Sequence, residues 1–427
     1  MSGRPNIVLV TVDSLRADHC GFHGYEEGTT PTLDRLADEG LVFENAIAPG
    51  PSTPESMPAI FTGSHPTSVP KSDPHGTALS ARRERIRHHM DARETLPERL
   101  SALGYETAAF TPNPFTSRYF GFDAGFDRFQ DFMESSRSLG GIYERVFEQF
   151  VGDGPLSMVR PLVNWAFREE VFKPWASYYD EVVEWIRSAG SPFFLWVFLM
   201  DAHNPYMAPA AYRTQSGLDT FRANVRFWRE SHDTPFDPST HRRLHTAYTD
   251  AVRYVDAFLD RLRADLPASS TLVVHADHGE AFGEHGVYGH EPHVYEENVH
   301  VPLVVDGAAS GRAERPVSLC QLPVLLAAIA ADEPLDGFGE PAVVSWSRQG
   351  NRVALRGRSW KYIRAGEEDA LYDLTADERT DRSSTTSLDP FCRLVDRFRE
   401  DVRERGRTVT ASAAVSMASS RLGSIDS

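Results

Sequence analysis

Lysine is almost absent from this 427-residue chain: of 44 basic side chains, only Lys71, Lys173 and Lys361 are not arginine. Positive charge is also outweighed, because 61 aspartates and glutamates leave a net charge of -17. Such a balance argues against nucleic acid as a partner. It suits a saline, halophilic cytoplasm, where carboxylates stay hydrated and salt screens their mutual repulsion. Cysteine is scarce as well. Cys20, Cys320 and Cys392 are far apart and odd in number, which speaks against a disulfide framework. No uncharged run approaches membrane-spanning length, and the residues before Asn6 leave no room for a signal peptide. The expectation is a soluble, cytoplasmic protein without a membrane span, long enough for one large α/β domain plus an appendage.

What the sequence does contain is concentrated in Thr271 to Pro302. There an apolar run, Thr271-Leu272-Val273-Val274, short enough for a buried parallel strand, stops at Asp277, His278 and Gly279. In an open parallel sheet the C-terminal strand ends face the ligand crevice, so this carboxylate and imidazole should meet whatever binds. An Asp-His pair capping a buried strand is costly without a partner, and a metal ion is the usual one. Asn6 to Asp13 repeats the pattern, a second buried strand ending in a carboxylate. Two strand-end aspartates that face one another repel unless a cation lies between them. Phe193 to Leu199 is a third apolar run, followed by Asp201 and His203, and a histidine there can hand a proton to a leaving oxygen.

Between these strands, Thr32 to Gly40 reads as a short helix closed by glycine. In Ala48 to Gly63, the hydroxyls of Ser52, Thr53 and Ser56 gather at a turn before a helix expected to begin near Ser56. Free N–H groups at a helix start favour an oxyanion and ease ionisation of a hydroxyl beside a metal. Leu244 to Leu262 has helical apolar spacing, with Arg253 and Asp256 outside the stripe, and reads as the crossover into strand Thr271.

Taken together, NIVLVTVDSLRADHCGFHGY, TPTLDRLADEGLVFENAIA, the turn ending IFTG, the D-x-H-x-P-Y motif at Asp201 to Tyr206 and ADHGEAFGEHGVYGHEPHVYEENVHVPLVV resemble the sulfatase family of the alkaline phosphatase superfamily. The resemblance covers about Asn6 to Leu374 and is of the haloarchaeal type. It implies an α/β fold: an alkaline-phosphatase-like three-layer sandwich with a mainly parallel central sheet, plus a small C-terminal α+β subdomain. It further implies Asp13, Asp277 and His278 as ligands of a divalent metal ion (Ca, Mn, Mg or Zn), Thr53 as nucleophile, and His203 or His290 assisting the departing alcohol. Asn113 and His293 fall to substrate binding. Several positions depart from the family pattern. Ser14 replaces the second aspartate of its Asp-Asp pair, Glu55 replaces a proline, Met57 stands where sulfatases carry arginine, and Asn113 replaces part of a Gly-Lys-Trp-His segment. Thr53 occupies the place of the cysteine or serine that becomes formylglycine, which cannot form from threonine. Ser52 and Ser56 are reserve nucleophiles.

The expected function is hydrolysis of a sulfate or phosphate ester of a small molecule or glycan, by in-line attack of Thr53. Open alternatives are a phosphoryl transferase or phosphodiesterase of the same superfamily, and a non-catalytic glycan-binding protein. The expected domains are a catalytic unit over 1–345, with a helical, aromatic-rich insertion over 133–188, a small subdomain over 346–385, and a helix with a mobile tail over 386–427. Within this scheme a helix is expected around Gln321 to Ala331, and hairpin strands from Val353 onward.

Overall fold

The computed structural model describes residues 4–67, 78–132, 173–229, 235–348, 351–375, 383 and 387–423. Eight segments pair into the main sheet: β1 (Asn6–Val12), β2 (Leu41–Phe43), β3 (Glu106–Phe110), β4 (Arg128–Gln130), β5 (Phe193–Leu199), β6 (Ser270–Ala276), β7 (Leu303–Asp306) and β8 (Gly311–Ala313). Their order is β8-β2-β7-β6-β1-β5-β3-β4. The run from β6 through β4 is parallel, while β7 is antiparallel to both neighbours. Every residue of β1 and β5 is buried, which is why both read as largely apolar runs: each face is covered.

The cover comes from two groups of helices. In one, α1 (Pro31–Glu39) packs on β7 and on the long α7 (Pro238–Asp265), which also carries α6 (Gly217–Arg229). In the other, α2 (Thr53–Thr62) packs against α3 (Ala78–Asp91), α4 (Leu96–Ala102) and α8 (Leu322–Ala330). Among the described residues, α5 (Tyr179–Ser188) is the helix that leads into β5. Beyond the main sheet, β9 (Ala342–Ser347), β10 (Arg352–Gly357), β11 (Trp360–Ala365) and β12 (Glu368–Asp373) form a four-stranded antiparallel sheet with its own small core, against which α9 (Asp389–Gly423) packs.

Four expectations change in detail. Helix α2 begins at Thr53, not near Ser56, since Pro54 sits in the first turn, where its missing N–H costs nothing. Asp256 is buried rather than outside the stripe. Its carboxylate accepts the backbone N–H groups of Thr32 (3.1 and 3.0 Å) and Leu33 (2.9 Å), and so caps α1 from another helix. The small sheet starts at Ala342, and α9 continues to Gly423 through the stretch read as a tail from Thr408. Of the insertion expected over 133–188, residues 133–172, with Trp165, lie outside the described residues. Trp175 and Trp185 are buried in the main core, and the Trp175 indole donates to the Tyr254 carbonyl at 2.9 Å.

Candidate active site

Because β6, β1 and β5 are adjacent and parallel, their C-terminal ends arrive together. The backbone N–H of Asp13 continues the ladder to Leu199 (2.9 Å), and that of Asp277 continues it to Val12 (3.3 Å). The side chains of Asp13, Asp277 and His278 converge, with one ligand atom from each within 4.8 Å of the others, all three buried. His278 Nδ1 lies 2.8 Å from the Gly279 carbonyl, so it carries the proton and leaves the Nε2 lone pair facing Asp13 Oδ1 (3.4 Å) and Asp277 Oδ2 (3.7 Å). Asp277 Oδ1 accepts the N–H groups of His278 (3.0 Å) and Ser14 (3.4 Å), whereas buried Asp277 Oδ2 accepts no hydrogen bond among the described residues. Asp13 accepts from the Ser14 hydroxyl (2.9 Å) and the Asn113 amide (2.8 Å).

Acceptors thus face acceptors. The electrostatics agree: burial, and then the charge of Asp277, raises the pKa of Asp13, and burial lifts Asp277 to about 7. Burial, followed by the charge of His290, lowers His278 to about 4. Two buried carboxylates and a buried neutral imidazole, one oxygen without a hydrogen bond among the described residues, make a donor set that fits a divalent cation.

Thr53 opens α2 beside this set. Its Oγ1 is 3.5 Å from His278 Nε2 and 3.4 Å from the Asn113 amide. The neighbouring hydroxyls are occupied elsewhere: Ser52 donates to Glu291 Oε1 (2.5 Å) and Ser56 to the Asp277 carbonyl (2.7 Å). Of the three hydroxyls in the turn, Thr53 is the one turned to the cluster.

A second group stands alongside. His290, whose ring is 4.5 Å from that of His278, places Nδ1 3.0 Å from Glu280 Oε1, and Tyr206 donates to Glu280 Oε2 at 2.8 Å. Burial opposes a charge on His290, but the Glu280 carboxylate more than offsets this and leaves its pKa raised to about 9. His203 lies 5.8 Å from His290, ring to ring, with Nδ1 held 2.5 Å from the Asn204 carbonyl. Asp201 turns away, and its carboxylate takes the Trp175 N–H at 3.3 Å. His293 stacks on Tyr295, 5.7 Å between ring centres. The structure therefore gathers Asp13, Asp277, His278, Thr53, Asn113, His290 and His203, and sets His293 against Tyr295. Sequence reading missed Glu280 and Tyr206. Both lie inside quoted motifs, and the signal was the rule that a working imidazole is oriented by an acceptor on its other nitrogen.

The sulfatase family model matches residues 5–321. The chain belongs to the sulfatase family. Membership places it among the sulfuric and phosphoric ester hydrolases of the alkaline phosphatase superfamily. It is 23% identical to the multifunctional alkaline phosphatase superfamily protein PehA of Trinickia caryophylli, over 72% of this chain and 69% of that protein. It is 25% identical to human iduronate 2-sulfatase, over 70% of this chain and 59% of the relative. Among solved structures, the phosphonate monoester hydrolase of Agrobacterium radiobacter shares the fold at a TM-score of 0.63 and 17% identity, covering 94% of this chain and 96% of the other. Within this family frame Met57 is fully buried, and Glu55 Oε1 accepts the Arg348 backbone N–H at 2.9 Å.

Proposed function

We propose that this sulfatase-family chain is a divalent-metal-dependent esterase that uses Thr53 as its nucleophile, with phosphoryl esters preferred to sulfate esters. The observation that carries the reading is that, of the three hydroxyls in the turn, Thr53 is the one that faces the cluster, beside three mutually facing acceptor atoms. Asp13, Asp277 and His278 would hold the cation. When bound, such an ion lowers the pKa of an adjacent hydroxyl and polarises an ester oxygen.

The residues of the chain supply the rest. Asn113 fixes Asp13 and Thr53 together through one amide. Free N–H groups at the start of α2 offer positive potential to the transferred group's oxygens. Thr53 gives up its hydroxyl proton to solvent water, its Oγ1 forms a bond to phosphorus as the bond to the alcohol oxygen breaks, and that oxygen takes its proton from His290, which Glu280 keeps charged and oriented. Water then releases the group from Thr53. Phosphothreonine can break down this way, whereas a sulfothreonine lacks the hemiacetal route that formylglycine gives a sulfatase. The preference for phosphoryl esters rests on that difference.

A second reading, a sulfatase-like protein that binds a sulfated or phosphorylated glycan without turnover, is favoured by one feature: Glu55 and Met57 alter the nucleophile turn. Assay of the purified protein in high salt with Mn²⁺, Ca²⁺, Mg²⁺ or Zn²⁺ against aryl sulfate, phosphate monoester, phosphodiester and phosphonate substrates separates the readings. On any substrate turned over, Thr53→Ala should lose roughly a thousandfold or more in kcat. Its melting temperature should stay near wild type, since one hydroxyl contact is worth only about 1 kcal/mol. Near-normal activity in Thr53→Ala would reduce Thr53 to a helix-start residue.

A further inference from the structure

Beside the nucleophile turn lies a concentration of arginine that the hydrolytic step does not use. Arg85, on α3, is half-buried and makes no hydrogen bond or ion pair among the described residues. Burial, and after it the charge of Arg82, makes its guanidinium harder to hold charged, with Glu55 and Glu291 the opposing carboxylates. Arg348 reaches the same place from the end of β9. Its Nη2 donates to the Pro66 carbonyl (2.7 Å), its guanidinium lies 4.5 Å from the centre of the Trp346 ring, and its buried Nε has no partner among the described residues. Arg85 and Glu55 are its charged neighbours. Arg82 is 3.9 Å from Glu291 and sits over the Phe115 ring at 5.4 Å.

These contacts tie Arg82, three residues before Arg85 on α3, to both walls of the catalytic cluster. Glu291 follows His290 and binds Ser52, the residue before Thr53, while Phe115 gives its N–H to Asn113 at 2.8 Å. Three guanidiniums face two carboxylates, and one carboxylate is already engaged by Ser52 and the other by the Arg348 backbone. The partly desolvated donors that Arg85 and Arg348 leave unpaired among the described residues are costly, and an oxyanion is the group that satisfies them with paired hydrogen bonds.

We infer that Arg85 and Arg348, with Arg82 at the rim, form a subsite for a second anionic group on the substrate, so that the preferred ester carries a phosphate, sulfate or carboxylate besides the one cleaved. The inference rests on the hydrolase reading for the placement of the scissile group. It adds what holds the far end.

The test is a binding measurement. Mn²⁺-loaded Thr53→Ala protein, which should not consume either ligand, is titrated calorimetrically with glucose 1-phosphate and with glucose 1,6-bisphosphate. The bisphosphate should bind at least ~10-fold tighter. Arg85→Gln and Arg348→Gln, added singly, should erase that advantage and leave the monophosphate Kd unchanged, with melting temperatures showing that both variants fold. Equal affinities in the parent protein, a parallel loss for both ligands, or no binding of either would overturn the subsite. Discrimination for the bisphosphate without turnover in the wild type would instead retain the subsite and defeat the hydrolytic reading.

Discussion

At Ser14 the backbone adopts a φ of 62°, a left-handed conformation that few side chains occupy cheaply. It turns the hydroxyl onto Asp13 and the N–H onto Asp277, making Ser14 a donor to the cluster where the family pattern has another carboxylate. Aspartate tolerates that conformation, so Ser14→Asp should fold. Without metal, a third buried carboxylate should lower the melting temperature by repelling Asp13 and Asp277. With Mn²⁺ or Ca²⁺ the rise should exceed that of wild type and the Kd should fall at least ~10-fold. Thermal melts with and without metal, and titration calorimetry, check both signs.

Glu297 makes a pH prediction at the same scale. It is buried, neither oxygen accepts a hydrogen bond among the described residues, and burial, reinforced by Glu284, raises its pKa to about 8. The unfolded chain ionises this group near pH 4.3 while the folded chain stays protonated to about 8, so folding stability falls as pH rises between those values. Glu297→Gln should raise the melting temperature by a few degrees at pH 8 and hardly at all at pH 4. A uniform shift at both pH values would contradict the assignment. Asp13, Asp277 and His278 were legible in the sequence because each ends a strand that reads as one. The Glu280–His290–Tyr206 linkage was not, because its members are joined only through space.

Among the elements, the small antiparallel sheet acts on the main one through a few polar ties. Ser345 donates to the Ala48 carbonyl (2.6 Å), the Trp346 N–H donates to Pro49 (2.8 Å), and Arg348 caps Glu55, so the sheet clamps the segment leading into α2. A buried ion group anchors it: Glu296 lies 2.9 Å from Lys361 Nζ and 3.3 Å from Arg356 Nη2, all three nearly enclosed. Burial works against the Glu296 carboxylate, yet Lys361 and Arg356 hold its pKa well below the usual range. That contribution is present above about pH 4.5 and is lost as pH falls further. Glu296→Gln strands two buried cations and should cost about 3 kcal/mol at pH 7, measured by denaturant melts, with the difference shrinking in acid. Continuous apolar runs made β1, β5 and β6 readable, and proline at a first helical turn hid the start of α2. The extent of α9 was obscured because a Ser- and Ala-rich stretch carries no periodic apolar signal, although alanine favours helix.

For the molecule as a whole, 61 acidic against 44 basic side chains predict that stability depends on salt. Moving from molar KCl to dilute buffer should lower the melting temperature by several degrees, as unscreened carboxylates repel one another. Equal melting temperatures in both would remove the case for a salt-adapted surface. The described residues contain no helix long and apolar enough to cross a membrane. The place of β1 at the centre of the sheet has a consequence for how the protein is made. Its two neighbours, β5 and β6, are encoded far downstream, at Phe193–Leu199 and Ser270–Ala276. At ribosomal speeds of about 5 to 20 residues per second, β1 waits on the order of 13 to 50 s before its second edge is closed. For that interval the nascent chain carries a seven-residue, mostly apolar strand with open hydrogen-bonding edges, the kind of segment that chaperones shield and that aggregates when they do not.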